Sequence, residues 1–135
     1  MTTRMTRTLS VALLLICASS AGAFDSTRWT PVTGGTWEPS AAVLSELDTA
    51  LKPPVTAASQ NLGRIPQWSA YTFQYQGRTE LLGRRYVYVN AFCFHTGTHL
   101  EREWVDIEDG GACFFSAKYD PQTKVVYDIR VNGVA

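Results

Sequence analysis

The chain has 135 residues, with 12 Lys and Arg against 12 Asp and Glu and a formal net charge of zero at pH 7. Its only adjacent basic pair is Arg84-Arg85, so nothing resembling the electrostatic footprint of a nucleic-acid binder or an anionic-membrane binder is present. The length suits one small domain with a single hydrophobic core.

In chain order, Met1 to Ser10 carries Arg4 and Arg7 with no acid, Val11 to Cys17 reads VALLLIC, and Ala21-Gly22-Ala23 forms an A-x-A pattern before Phe24. This is the pattern of a secretory signal peptide over residues 1–23, which places the mature chain in the periplasm or outside the cell. The apolar run is well short of the roughly 20 residues that span a bilayer, so no transmembrane segment is expected here or later in the chain. Cys17 follows a leucine-rich run, as in bacterial lipoproteins, but Ile16 stands where such sites place a small residue, and a lipid anchor is disfavoured. Cleavage after Ala23 leaves 112 residues with 12 − 2 basic and 12 acidic side chains, a net charge of −2, and the two cysteines Cys93 and Cys113.

Residues 24–38 are rich in Thr, Gly, Trp and Pro without a period, and read as an irregular lead-in pinned by Trp29 and Trp37. Pro39 suits a first helical position, and Val43, Leu44, Leu47 and Leu51 recur at helical spacing. Pro53-Pro54 is expected to stop this amphipathic helix, giving it the span 39–52. Residues 69–131 then read as antiparallel strands: SAYTFQYQGRTEL, RRYVYVNAFCF, ACFFSAKYD and KVVYDIRVN, with turns at Leu82-Gly83 and Asp120-Pro121-Gln122-Thr123. A short extra strand around Glu103 to Ile107 would make the sheet five-stranded. The expected fold is therefore α+β, one N-terminal helix packed on a four-stranded or five-stranded antiparallel sheet.

Because side chains alternate along a strand, parity assigns the two sheet faces. Tyr71, Phe73 and Tyr75, then Val87, Val89 and Ala91, then Phe115, Ala117 and Tyr119, then Val125, Tyr127, Ile129 and Val131 form an apolar face for the helix. The opposite face gathers Gln74, Tyr86, Tyr88, Asn90, Phe92 and Phe114, and these six are the candidate binding residues: a large aromatic patch on a small protein usually has a partner. Cys93 and Cys113 share the helix-facing parity. In an oxidising compartment they are expected to form a disulfide closing a loop of about 20 residues, stabilising by about 3 kcal/mol.

The stretch Asn90 to Phe115 also holds both histidines of the chain, which raises a metal site from Cys93, His95, His99, Glu101 and Cys113. The Thr96-Gly97-Thr98 spacer favours a loop over the helix turn that would align an i, i+4 pair, and an oxidised dithiol is no ligand, so no metal and no cofactor are expected. No serine sits in a strained G-x-S-x-G elbow, and the acidic pairs in Glu101 to Asp109 read as solvated turns, so no catalytic residue is assigned. DIEDGG offers too few oxygen ligands for a calcium loop.

A helix followed by a sheet that wraps it resembles the cystatin-like arrangement, and more loosely the NTF2-like cone. The Q-x-V-x-G hairpin of cystatins is not matched by Gln74-Tyr75-Gln76-Gly77 or by the turn at Gly83. DGGACFF, YDPQTK and VNG are similar to motifs of small exported bacterial proteins of unassigned function. The resemblance implies a fold and supplies no activity. The expectation is a noncatalytic binding or inhibitor-type module of the bacterial envelope, acting on a protein partner or a second copy of itself. The alternative is a small hydrolase or ligand-binding protein whose pocket between helix and sheet draws in Tyr71, Tyr119 or Tyr127.

Overall fold

The computed structural model describes residues 23–94 and 99–133. The leader through Gly22 with Cys17, and also His95, lie outside the described residues. A 3-10 turn at Ser26–Arg28 leads into β1 (Trp29–Pro31), followed by α1 (Ala41–Ala58), β2 (Thr72–Thr79), β3 (Arg85–Phe92), β4 (Phe114–Asp120) and β5 (Val125–Val131). The strands lie in chain order in one five-stranded sheet. Strands β2 to β5 are antiparallel, whereas β1 runs parallel to β2.

The described residues are α+β with a single α-helix, but that helix follows a strand instead of leading the domain, and the sheet is mixed instead of antiparallel. The cause lies in the lead-in. Trp29 is 6% exposed and stacks on Phe73, ring centroids 4.2 Å apart, and burying so large a ring carries its backbone alongside β2. There Val32 N–H donates to the Tyr75 carbonyl at 2.8 Å. Pro31, which has no N–H to give, sits on an edge strand where none is needed. Trp37 docks further along, its Nε1 donating to the Arg78 carbonyl at 2.9 Å. Gly77 permits that approach, since a Cβ there would lie 2.2 Å from the Trp37 carbonyl oxygen. The fifth strand is thus β1, and residues 103–107 form no strand.

Helix α1 also runs past the expected stop. Ser40 caps it, its Oγ accepting from Val43 N–H at 3.2 Å, and it continues through Pro53 and Pro54 to Ala58. A proline in a helix interior costs about 3 kcal/mol. Continuing the helix extends the buried stripe Leu44, Leu47 and Leu51 to Val55, which is 2% exposed, and to Ser59, whose Oγ donates to the Val55 carbonyl at 2.7 Å. The carbonyls that lose a donor belong to Thr49 and Ala50, one exposed and one half-buried, where water can serve them.

The core lies between α1 and one sheet face: Leu44, Leu47, Leu51 and Val55 meet Phe73, Val87, Val89, Phe115, Ala117 and Tyr119. Just before β4, parity fails at Cys113, which is expected on the helix side but lies in a 3-10 turn (Gly111–Cys113) and packs with Phe92 and Phe114. Within the strands it fails in β5. Phe115 pairs with Val131 and Ser116 with Arg130, but Lys118 pairs with Tyr127 and Tyr119 with Val126, a register shift that inserts one residue. The extra residue is Asp128, left-handed at φ 49°, a conformation Asp tolerates better than most residues. Below this bulge the faces swap, so Val126 packs against the core and Tyr127, expected inside, stands on the outer face with Lys118. Strands β3 and β4 pair directly, and Cys93 and Cys113 just outside them are bridged, Cα atoms 5.1 Å apart. No described helix is long and apolar enough to cross a membrane.

Candidate functional site

The outer sheet face is divided in two. Over the half nearest the disulfide, residues 99–109 fold back across β2 and β3. Gln74 holds this segment: its Nε2 donates to the carbonyls of Leu100 at 2.8 Å and Glu103 at 2.6 Å, and its Oε1 accepts from Val105 N–H at 2.8 Å and from Asn90 Nδ2 at 3.1 Å. Asn90 Nδ2 also donates to the Val105 carbonyl at 2.7 Å. Asn132 donates its side-chain amide to the carbonyls of Ile107 and Asp109. Leu100 and Val105 pack beneath on Phe92, Phe114 and Cys113, a second small apolar cluster. Of the six expected binding residues, Gln74, Phe92 and Phe114 are therefore buried, Asn90 is half-buried and bonded to the cover, and Tyr86 and Tyr88 remain partly open.

The other half, toward the β2–β3 and β4–β5 turns, carries cations laid on tyrosines. The Arg78 guanidinium lies 4.2 Å from the Tyr88 ring centroid and 5.4 Å from that of Trp104, which itself meets Tyr88 edge-on at 5.1 Å. Lys118 Nζ lies 5.4 Å from the Tyr86 ring, and Arg84 lies 5.5 Å from the Tyr127 ring. Gln76 Oε1 accepts from Arg78 Nε at 2.7 Å, and two carboxylates orient the other cations. Asp128, at the bulge, takes Lys118 Nζ and Arg130 Nε at 3.2 Å each. Hydrogen bonds from those two cations hold its carboxyl below the usual range, and the bond to Asp128 pushes the Lys118 ammonium up. Asp120 takes Arg84 Nη2 at 2.7 Å. Burial works against its charge, but the backbone N–H groups of Thr123 and Gln122 together with Arg84 outweigh burial and hold the carboxyl below 3.8. The Tyr127 hydroxyl is buried with no hydrogen-bond partner among the described residues. Burial chiefly, with Glu80, raises its pKa.

Arginine and tyrosine in this arrangement offer flat apolar area with preset donors at its margin, the composition of residues that dominate binding energy at protein interfaces. Arg78, Trp104, Lys118 and Tyr127 were missing from the expected set: Lys118 has the outward parity but is not aromatic, Arg78 and the loop tryptophan carry no signal of their own, and the bulge reverses the parity of Tyr127. Elsewhere the surface has an open cleft of about 360 Å³ between residues 31–39 and Tyr75 to Gly77, with Glu38 its one carboxylate. His99 is exposed at φ 68°, its Nδ1 4.0 Å from Glu101. The described residues include no group of three or more His, Cys, Asp or Glu placed to hold a metal ion. Comparison with protein families, curated proteins and solved structures finds no match for this chain.

Proposed function

We propose that the chain is an exported, noncatalytic binding module of the cell envelope, released from its leader near Ala23, and that its contact surface is the uncapped outer face centred on Tyr86 and Tyr88. Arg78, Trp104, Lys118 and Tyr127 complete that surface. The observation that carries this reading is the contrast between a filled interior and an open array of cations on tyrosines. The alternative, a pocket between helix and sheet, would need Tyr71 and Tyr119 to line a cavity. Tyr71 is 1% exposed in the core, its hydroxyl donated to the Ala112 carbonyl; Tyr119, also 1% exposed, only edges an open cleft of about 390 Å³ between α1 and Lys124, with its hydroxyl donated to Glu46, the one carboxylate there. The four cations on the face, Arg78, Arg84, Lys118 and Arg130, outnumber the three carboxylates Glu80, Asp120 and Asp128, which favours an acidic protein surface as the complement.

In-cell photo-cross-linking from a photoreactive phenylalanine at position 86 tests this. A discrete adduct, weakened at least tenfold by Lys118→Glu, is expected, and an adduct of twice the chain's mass would identify the partner as a second copy. No adduct, or one indifferent to Lys118→Glu, would overturn the proposal.

A further inference from the structure

The β2–β3 hairpin closes through Glu80 N–H to the Arg84 carbonyl and Gly83 N–H to the Glu80 carbonyl, each at 2.9 Å, with Gly83 at φ 80°. This is a three-residue loop with glycine in the left-handed position, and its geometry asks nothing of the two residues before the glycine. Those residues are Leu81 and Leu82, which are 105% and 99% exposed. No other large apolar side chain described exceeds the 67% of Phe94. They contribute nothing to the core, and a turn is ordinarily built from Gly, Asn, Asp, Ser or Pro. Folding therefore does not account for them.

The tip is held in place. Arg84, at its base, is clamped through Nε at 2.8 Å and Nη2 at 2.7 Å to Asp120, which also caps the β4–β5 turn by accepting from Gln122 N–H at 2.8 Å. The two turns thus form one pole of the sheet, and half-exposed Val125 stands on it too. The charges there balance: Arg84, Arg85 and Lys124 against Glu46, Glu80 and Asp120, two of these pairs in direct contact.

We infer that the Leu81-Leu82 tip docks into the interfacial region of a lipid bilayer, as a weak and reversible membrane contact. Two leucines at a convex tip bury roughly a few hundred Å², far short of the about 1,000 Å² that a specific protein interface clears. A bilayer needs no matching pocket, and takes up apolar side chains in proportion to their area while flanking cations stay among the headgroups. Because the pole is neutral, the contact depends on the leucines and not on anionic lipid.

The test uses the chain expressed from its full sequence and purified in the form the cell yields, floated with phosphatidylcholine vesicles and with vesicles also containing phosphatidylglycerol. Leu81→Ser/Leu82→Ser is expected to lower the partition coefficient about 100-fold, with little effect of salt or of phosphatidylglycerol. The amides of Leu81 and Leu82, which have no hydrogen-bond partner among the described residues, are expected to exchange more slowly in the presence of phosphatidylcholine vesicles. Equal flotation of wild type and variant, or unchanged exchange at both amides, overturns the inference. So does binding confined to phosphatidylglycerol vesicles and abolished by salt, which would implicate the cationic face, and so does a wild-type chain that never floats, which would leave a protein pocket as the occupant. The Tyr86 cross-link is expected to survive in Leu81→Ser/Leu82→Ser, so the two readings fail separately.

Discussion

Replacing Gln74 with leucine keeps the side-chain volume roughly constant and removes all four hydrogen bonds of a residue that is 0% exposed. Three of the lost partners are backbone groups of the covering segment, the carbonyls of Leu100 and Glu103 and the N–H of Val105. At about 1 kcal/mol net for each, the substitution should cost about 3 kcal/mol, a large share of a typical net stability of about 5–15 kcal/mol. The loss is expected to be local first: residues 99–109 lift from the sheet, and Phe92 and Phe114 meet water. Urea unfolding gives the total, and hydrogen exchange at the Val105 amide reports the segment. A cost under about 0.5 kcal/mol with the Val105 amide still protected would refute the role given to Gln74.

Removing the disulfide as Cys93→Ala/Cys113→Ala opens a loop with a sequence separation of 20 and should lower stability by about 3 kcal/mol, read as a lower urea midpoint. Asp128→Val forces a β-branched residue into φ 49° and should cost about 1–2 kcal/mol, whereas Asp128→Gly should stay close to wild type; equal effects would argue against the bulge. The Asp120 carboxyl is held below 3.8 in the folded chain. Its contribution is thus present above that value and is lost as pH falls through the lowered folded value, so Asp120→Asn should flatten the acid limb of stability against pH. Tyr71 is the opposite case: burial raises its phenol to about 12 from 10.0. Its contribution is complete below pH 10 and disappears as pH rises toward 12, and Tyr71→Phe should remove that alkaline loss.

The core was legible where strands are regular. Phe73, Val87, Val89, Phe115 and Tyr119 alternate without interruption, and period 2 alone assigns them to the helix face. It was illegible where one residue breaks the count. Asp128 is an ordinary strand residue in one-letter code, yet its left-handed backbone turns Tyr127 outward. Strand β1, at three residues, is too short to show a period, and α1 passes Pro53-Pro54 against the local rule, carrying Val55 onto the buried stripe and leaving the freed carbonyls on its wetter side. The capped half of the outer face was hidden for a different reason. Gln74 looks like a solvated polar residue until its partners, 26 to 31 positions away, are brought over it. The sequence pattern shows which residues leave the core, and not what else in the chain will cover them. Tyr86 and Tyr88 stayed partly open because the covering segment reaches only the edge of Tyr88, through Trp104; Phe92 and Phe114 left the site because Leu100 and Val105 pack over them.

Hydroxyl-radical footprinting, run on the purified chain and on the same chain in its own envelope, tests the binding-surface claim most directly. The predicted result is that Phe92 and Phe114 stay protected in both, while Tyr86 and Tyr88 react in the purified chain and become protected in the envelope. Tyr86 and Tyr88 equally reactive in both settings would contradict it.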